Sequence, residues 1–347
     1  MHADNNQPSR REFIKRTTQA AAAAAVLGSG IAHGSAADDK KPDSTGGIPN
    51  RVFGKTKVKM PVLAYGGAAL PKAWGNPLSF EGRVKLVRYA YDKGLRYFDT
   101  AGNYMESQSI IGKALKSVRK NVYLVSKVET TDPSKVRQAV DRSLKELQTD
   151  RLDAVLIHGT PGLEYMTVKR AMKIHAELVK LRDQRVVKFI GFSAHSYFDK
   201  ALALADSGGF DFCMLAYGYL PRGTNQIFSA KMLKLREQCL ASAHKRGMGI
   251  AAMKVVGAGF LGAWSGHVVP KFDKKRLGQL PASAIRYVLN DKRIDLLVVG
   301  MRLKKDIDAN IKTISGDTAY TKADKTLLED FGPKALASPA MKRMKIE

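Results

Sequence analysis

A chain of 347 residues, 44% apolar and 26% charged, is long enough for one or two domains with a substantial core. Its formal charge of +26 raises nucleic acid, anionic lipid or phosphorylated ligands as partners, but the lysines are evenly spread, with no aromatic-basic platform and no helix-turn-helix pattern, which argues against nucleic acid and leaves a solvated basic surface. No run approaches the roughly 18 apolar residues of a membrane-crossing helix, and the two cysteines, Cys213 and Cys239, are too few for a disulfide scaffold.

The N-terminus carries Ser9-Arg10-Arg11-Glu12-Phe13-Ile14-Lys15 ahead of an alanine-rich stretch to Ala32, followed by the small residues Gly34, Ser35, Ala36 and Ala37. The pattern resembles a twin-arginine signal peptide over residues 1–37, cleaved near Ala36 or Ala37, which implies the twin-arginine translocase as a partner during export and a periplasmic or otherwise exported location. The alternative is a disordered basic leader or an uncleaved amphipathic anchor. No cysteine precedes Cys213, so a lipid-attached N-terminus is excluded. Removal of the leader, whose four basic residues face Asp4 and Glu12, leaves +24. Residues 38–50 read as a flexible linker.

From Arg51 onward, apolar runs alternate with helical periodicity. The runs are Val62–Tyr65, Tyr97–Phe98, Val122–Val125, Ala154–Ile157, Phe189–Phe192, Phe212–Leu215, Ile250–Met253 and Leu296–Val299. Helical segments fall between and after them: 81–92, 109–117, 134–147, 168–182, 197–206, 232–245, 282–290 and 305–314. Glycines at "DKGL", "SGGF" and "KRGM" supply left-handed exits. Eight strand–helix units over 51–330 predict an α/β fold, a (β/α)8 TIM barrel. A doubly wound open sheet would want G-x-G-x-x-G after the first strand, and Gly66-Gly67 does not supply it. The polar stretch 51–60, with a turn at Gly54-Lys55, reads as an N-terminal β-hairpin plugging the barrel floor, and residues 331–347 as a C-terminal tail.

Chemistry in such a barrel belongs at the carboxyl ends of the strands. The second run leads into Asp99, with Tyr104 five residues on; the third ends in Lys127 and the fourth in His158. Singly, these are commonly a helix cap, a packed phenol, a snorkelling lysine and a structural imidazole. Together they bring an acid, a base, an imidazole and a phenol to one rim. Lys127 as a cation would lower the pKa of the Tyr104 phenol, Asp99 would keep Lys127 charged, Tyr104 would act as general acid or base, and neutral His158 would orient a carbonyl oxygen. A hydride must then come from a nicotinamide cofactor.

At these residues the sequence resembles the aldo/keto reductase superfamily, through "GLRYFDTAGNY", "IIGKAL", "YLVSKV", "SLKELQTDRLDAVLIHG", "IGFS" and "VVGMRLKKDIDANI". The resemblance implies NADP(H)-dependent interconversion of an aldehyde or ketone with an alcohol, with Asp99, Tyr104, Lys127 and His158 as the catalytic tetrad. It also implies Ser193 as a ligand of the nicotinamide amide, with Ala194 and Met214 standing where Asn and Gln are usual. Tyr217 is expected to stack on the nicotinamide ring. Gly300, Arg302, Lys304 and Asn310 are expected at the adenosine phosphate end, where a guanidinium favours NADP(H) modestly over NAD(H). Gly67 and Lys254 complete the cofactor set, the latter opening a glycine-rich loop, 254–266, whose amides could approach a pyrophosphate.

"FSAH" and "AAMK" are similar to a branch that carries a cysteine-rich tail, but nothing beyond Cys239 could ligate an iron–sulfur cluster, and no metal-ligand pattern occurs. Trp74 and Trp264 lie on loops over the mouth, as substrate lids or as loop packing. His175, His195, His244 and His267 occur singly and read as structural. The rival functional readings are a cofactor-bound binding or redox-sensing protein on the same barrel, and an isomerase or lyase that shares only the scaffold.

Overall fold

The computed structural model describes residues 46–347; the expected leader and the linker up to residue 45 lie outside the described residues. Strands β1 (Asn50–Val52) and β2 (Lys59–Pro61) form an antiparallel hairpin. Eight parallel strands then close a barrel: β3 (Leu63–Gly66), β4 (Tyr97–Asp99), β5 (Tyr123–Val128), β6 (Leu152–Ile157), β7 (Val187–Ala194), β8 (Phe212–Ala216), β10 (Gly249–Met253) and β11 (Leu296–Val299). Each pairs with its successor and β11 returns to β3, so no edge is left exposed. The protein is a (β/α)8 barrel, and all eight apolar runs of the sequence are its strands.

Each of the eight helical segments of the sequence falls on a helix, and these start and stop for local reasons. Helix α1 (Phe80–Asp92) begins on Ser79, whose hydroxyl accepts from Gly82 N, and α2 (Ser107–Leu115), α3 (Val136–Leu147) and α4 (Val168–Asp183) follow. The turn after α5 (Phe198–Ser207) passes through Gly208 at φ +75°, and the turn after α6 (Ala230–Lys245) through Gly247 at φ +66°. Helix α7 spans Lys274–Asn290, eight residues earlier in its start than the apolar period indicated, because Asp273 caps it and Pro281 is accommodated inside.

The hairpin reaches the amino ends of the strands. Phe53 is buried, its ring 5.3 Å from that of Phe212 at the start of β8, and Lys55 N donates to Gly247 O at 2.5 Å. A Cβ on Gly249 would lie 2.8 Å from the Phe53 ring, so the first residue of β10 must be small for the plug to seat.

The C-terminal boundary differs from the sequence reading. After α8 (Lys304–Ser315), helix α9 runs Lys322–Leu336, straight through residue 330, and Phe331, Ala335 and Met341 are buried in a second apolar core with Leu220, Phe260, Phe272 and Leu280. Residues 331–347 are therefore docked structure, not a free tail. Gly332 serves close packing inside α9: a Cβ there would stand 2.7 Å from Tyr219. The chain ends in β12 (Lys345–Ile346), paired with β9 (Gln226–Ile227) in the loop after β8. Cys213 and Cys239 are buried free thiols. No helix among the described residues is long and apolar enough to cross a membrane.

Candidate active site

The carboxyl ends of β4, β5 and β6 meet at one side of the barrel mouth. Asp99 is the last residue of β4, Lys127 the fifth of β5, and His158 follows β6 directly. Lys127 Nζ donates to Asp99 Oδ1 at 2.7 Å, to Oδ2 at 2.8 Å and to Thr100 O at 2.7 Å. Tyr104, on the turn after β4, lies 4.8 Å from that ammonium by its ring centre and 5.6 Å from the His158 ring. All four side chains are nearly buried.

Burial and charge set their protonation. Burial alone would lower the Lys127 pKa, but Asp99 and Tyr104 raise it, so the lysine stays a cation. Burial pushes the Asp99 carboxyl up and Lys127 pulls it back. Burial also raises Tyr104, more than Lys127 lowers it. Lys127 does pull the phenol down, as its charge implies, but burial pushes it further up, and Asp99, facing the same lysine, adds to the rise. His158 is held well below the usual imidazole range by burial, then by Lys127 and Lys254, so it is neutral.

Ser193 ends up beside His158, its hydroxyl accepting from Gly159 N at 2.9 Å, with Ala194 and Met214 buried near it. Tyr217 is elsewhere, and the stacking role expected of it is corrected. Along β8 its side chain falls on the same face as Cys213, toward the helices. Its hydroxyl donates to Asp291 at 2.8 Å and Arg236 of α6 covers its ring at 4.7 Å.

Gly67 is buried against β4; a Cβ there would meet the Ser107 hydroxyl at 2.7 Å, so its smallness is explained by packing and not by a cofactor. In the loop after β10, the Gly257, Gly259 and Gly262 amides all donate within the loop, which removes them as pyrophosphate donors. Lys254 carries a left-handed φ of +62°, and its charge acts on His195 and His158.

Arg302 donates to Trp74 O at 2.8 Å and stacks 4.9 Å over the Trp264 ring. Trp74 in turn lies edge-on to Tyr104 at 5.4 Å. One guanidinium thus ties together the loops after β3, β10 and β11 across the mouth. Gly300 is exposed beside it, Lys304 reaches sideways to the Tyr89 ring at 4.8 Å, and Asn310 is buried on α8.

Two groups at the mouth, Glu129 and Arg222, were not singled out by sequence reasoning, and a third, His195, was read otherwise. Glu129 accepts from Asn103 N at 3.1 Å and stands 3.9 Å from His158 Nδ1; strand alternation with Lys127 was the available signal. Arg222, after β8, is buried over Phe260 at 4.3 Å. His195, read as structural, is 6.3 Å from His158 ring to ring, with a buried Nδ1 that has no partner. His175 bonds Gly209 O at 2.8 Å, a packing role. Among the described residues no group of three His, Cys, Asp or Glu is arranged to hold a metal ion.

A nicotinamide dinucleotide fits what the mouth offers. Buried nitrogens on His158, His195 and Arg302 have no hydrogen-bond partner within the protein and leave polar atoms at the mouth for a ligand.

Comparison with known proteins agrees with this architecture. An Arabidopsis thaliana L-galactose dehydrogenase is 24% identical over 296 residues, 77% of this chain and 88% of that protein. The Glycine max protein named Probable aldo-keto reductase 1 is 26% identical over 215 residues, and the match spans only 57% of its length and 58% of this chain. An aldo-keto reductase structure from Bacillus halodurans superposes with a TM-score of 0.64 at 17% identity, covering 85% of this chain and 99% of that one. The model of the aldo/keto reductase family matches residues 62–324, which take in all eight barrel strands. With most of the chain inside that match, the protein belongs to the aldo/keto reductase family of oxidoreductases.

Proposed function

We propose that the protein reduces an aldehyde or ketone to an alcohol, or runs the reverse reaction, with a nicotinamide dinucleotide, NADP(H) in preference to NAD(H). The observation that carries the reading is Lys127, bonded to both oxygens of Asp99 and lying under Tyr104 with His158 alongside. Bound nicotinamide would supply or accept the hydride. The chain's own groups handle the proton. Tyr104 O–H gives its proton to the carbonyl oxygen as that oxygen gains charge, and the Lys127 ammonium holds the phenolate that results. Neutral His158 donates a hydrogen bond to the same oxygen without competing for the proton. Ser193 remains the candidate for the nicotinamide amide, and Arg302, Lys304 and Asn310 for the adenosine phosphate end. Trp74 and Trp264 act as lids over the carbonyl substrate.

The test is a comparison of Tyr104→Phe with the parent chain. NADPH and NADH binding, followed by nucleotide fluorescence, should survive the change with NADPH the tighter ligand. The rate of carbonyl reduction should fall about 100-fold or more, the usual cost of losing general acid–base help. Binding without turnover across aldehydes, ketones and sugars, unaffected by the substitution, would favour the second reading, a nicotinamide-bound sensor; the apolar Ala194 and Met214 are the observation behind it.

Export through the twin-arginine route belongs to the same proposal, on the strength of "SRREFIK". That route carries folded cargo, which suits an enzyme loaded with nucleotide before it leaves the cytoplasm. Residues 1–37 fused to a reporter should direct it out of the cytoplasm, and Arg10→Lys with Arg11→Lys should keep it in.

A further inference from the structure

Large apolar side chains are exposed chiefly at one end of the barrel. Among the described residues they are Val52, Trp74, Phe80, Met105, Tyr165, Trp264 and Ile346. Val52 alone lies on the hairpin at the floor. The others belong to segments that leave the carboxyl ends of strands: Trp74 and Phe80 after β3, Met105 after β4, Tyr165 after β6 and Trp264 after β10. Ile346 joins them because β12 pairs with β9 in the loop after β8. Exposed apolar residues scattered singly need no explanation, but six of seven at one rim do.

Contacts link them into two arcs. On one side Arg302 donates to Trp74 O at 2.8 Å and covers the Trp264 ring at 4.9 Å, while Trp74 stands against Tyr104, the chain neighbour of Met105. On the other, Lys200 Nζ donates to Glu164 O at 2.8 Å, beside Tyr165, and lies 4.9 Å from the Tyr197 ring centre. Tyr197 N donates to Glu347 Oε1 at 3.2 Å, next to Ile346. Tyr165 and Ile346, 75% and 79% exposed, are the tips of that arc.

Exposed cations stand among these tips: Lys72, Lys169, Arg170, Lys271, Lys342 and Lys345. The carboxylates of the same segments are engaged locally, Glu164 by Thr160, Asp273 by Arg276 N and Glu347 by Tyr197 N. The floor is cationic too, through Lys55, Lys57 and Lys59, so charge alone does not choose a face. Rings set beside lysines do choose one. A ring enters the boundary of a bilayer while the ammonium stays with the phosphates, and the two together mark interfacial binding.

We propose that the mouth face docks on an anionic lipid surface, with Trp74, Tyr165, Trp264 and Ile346 entering the headgroup boundary and the neighbouring lysines meeting lipid phosphate. The competing occupant is a protein partner. The tips stand on separate loops around an opening, and a fluid headgroup layer covers such a ring without needing a matching shape.

Both tryptophans of the chain lie on this rim, so their emission reports the docked face directly. Full-length protein should sediment with phosphatidylglycerol vesicles and about tenfold less well with phosphatidylcholine vesicles. On the former, tryptophan emission should move to the blue and be quenched by lipids brominated high on their acyl chains. Tyr165→Ser with Ile346→Ser should weaken vesicle affinity about tenfold and leave the thermal midpoint unchanged. Lys169→Glu with Lys345→Glu should weaken it about tenfold or more, whereas Lys55→Glu with Lys57→Glu, an equal change of charge at the floor, should cost less than about threefold. All variants keep residues 1–45, so any binding through them is common to every comparison. A parent that ignores phosphatidylglycerol overturns the proposal and leaves the rim to a protein. Sedimentation with unquenched tryptophans, or a floor defect as large as that at the rim, overturns it as well.

Discussion

The proton donor is tuned in an unexpected direction. A lysine beside a phenol suggests a depressed pKa, yet Tyr104 is raised, because burial outweighs a cation that Asp99 already answers. The phenol is then fully protonated through neutral pH, the form needed to reduce a carbonyl, while alcohol oxidation needs the scarce phenolate. The signs follow directly: reductive kcat/KM should stay flat from about pH 6 to 9, and oxidative kcat/KM should climb across that window. His158 adds no limb near pH 6.5, since it is neutral already. Steady-state profiles in both directions check this; a reductive rate that drops above pH 8 through a group lost in Tyr104→Phe would contradict it.

At the scale of elements, one carboxylate adds a buried polar junction between helix α9 and α7 to their apolar contacts. Asp324 accepts from Ser283 at 2.7 Å and Arg286 Nε at 2.8 Å on α7, and from Thr321 N at 3.0 Å at its own helix start. Burial would raise its pKa, but Arg286, Ser283 and Thr321 hold it well below the usual carboxylate range. A carboxyl depressed by folding stabilises above its unfolded pKa of about 4 and loses that contribution as pH falls below it. Asp324→Asn should therefore cost about 2 kcal/mol at pH 7, less than the full loss of a buried pair because the amide keeps part of the bonding. Thermal melts at pH 7 and pH 3.5 should show the gap between parent and variant shrinking at the lower pH; a constant gap would remove the ionic role. This docking was illegible in sequence because its signals are long-range. Asp324 closes the capping box of its own helix with Thr321, a local role that gives no sign of Ser283 and Arg286 some 40 residues away. The strands were legible because each is a short apolar run bounded by turn residues. Asp99, Lys127 and His158 were legible because strand ends in a barrel converge. Tyr217 was misjudged one residue beyond a strand, where only parity decides between mouth and helix layer, and His195 was undervalued because a lone histidine shows nothing of its neighbour across the barrel.

The whole molecule separates a floor from a mouth. The hairpin closes the amino ends of the strands with Phe53 against Phe212 and Gly249, while every candidate for chemistry stands at the carboxyl ends. The mouth holds buried nitrogens without partners, a surrounding that costs stability and serves ligands. The floor buries apolar side chains such as Phe53, Met60 and Phe212, which is where such a cost can be offset. Substitution at the floor should accordingly change stability without changing chemistry. Phe53→Ala removes a buried ring and should cost about 3–5 kcal/mol, read as a lower urea midpoint. Below its unfolding transition the variant should keep the parent's KM for cofactor and carbonyl, and a kcat within about twofold, since the tetrad's bonds run between β4 and β5 and none involves the hairpin. A Phe53→Ala protein that is folded by circular dichroism but has lost nucleotide affinity would show that floor and mouth are mechanically linked through the barrel. Retention of both constants alongside a shifted midpoint would show that the strands transmit support but not geometry.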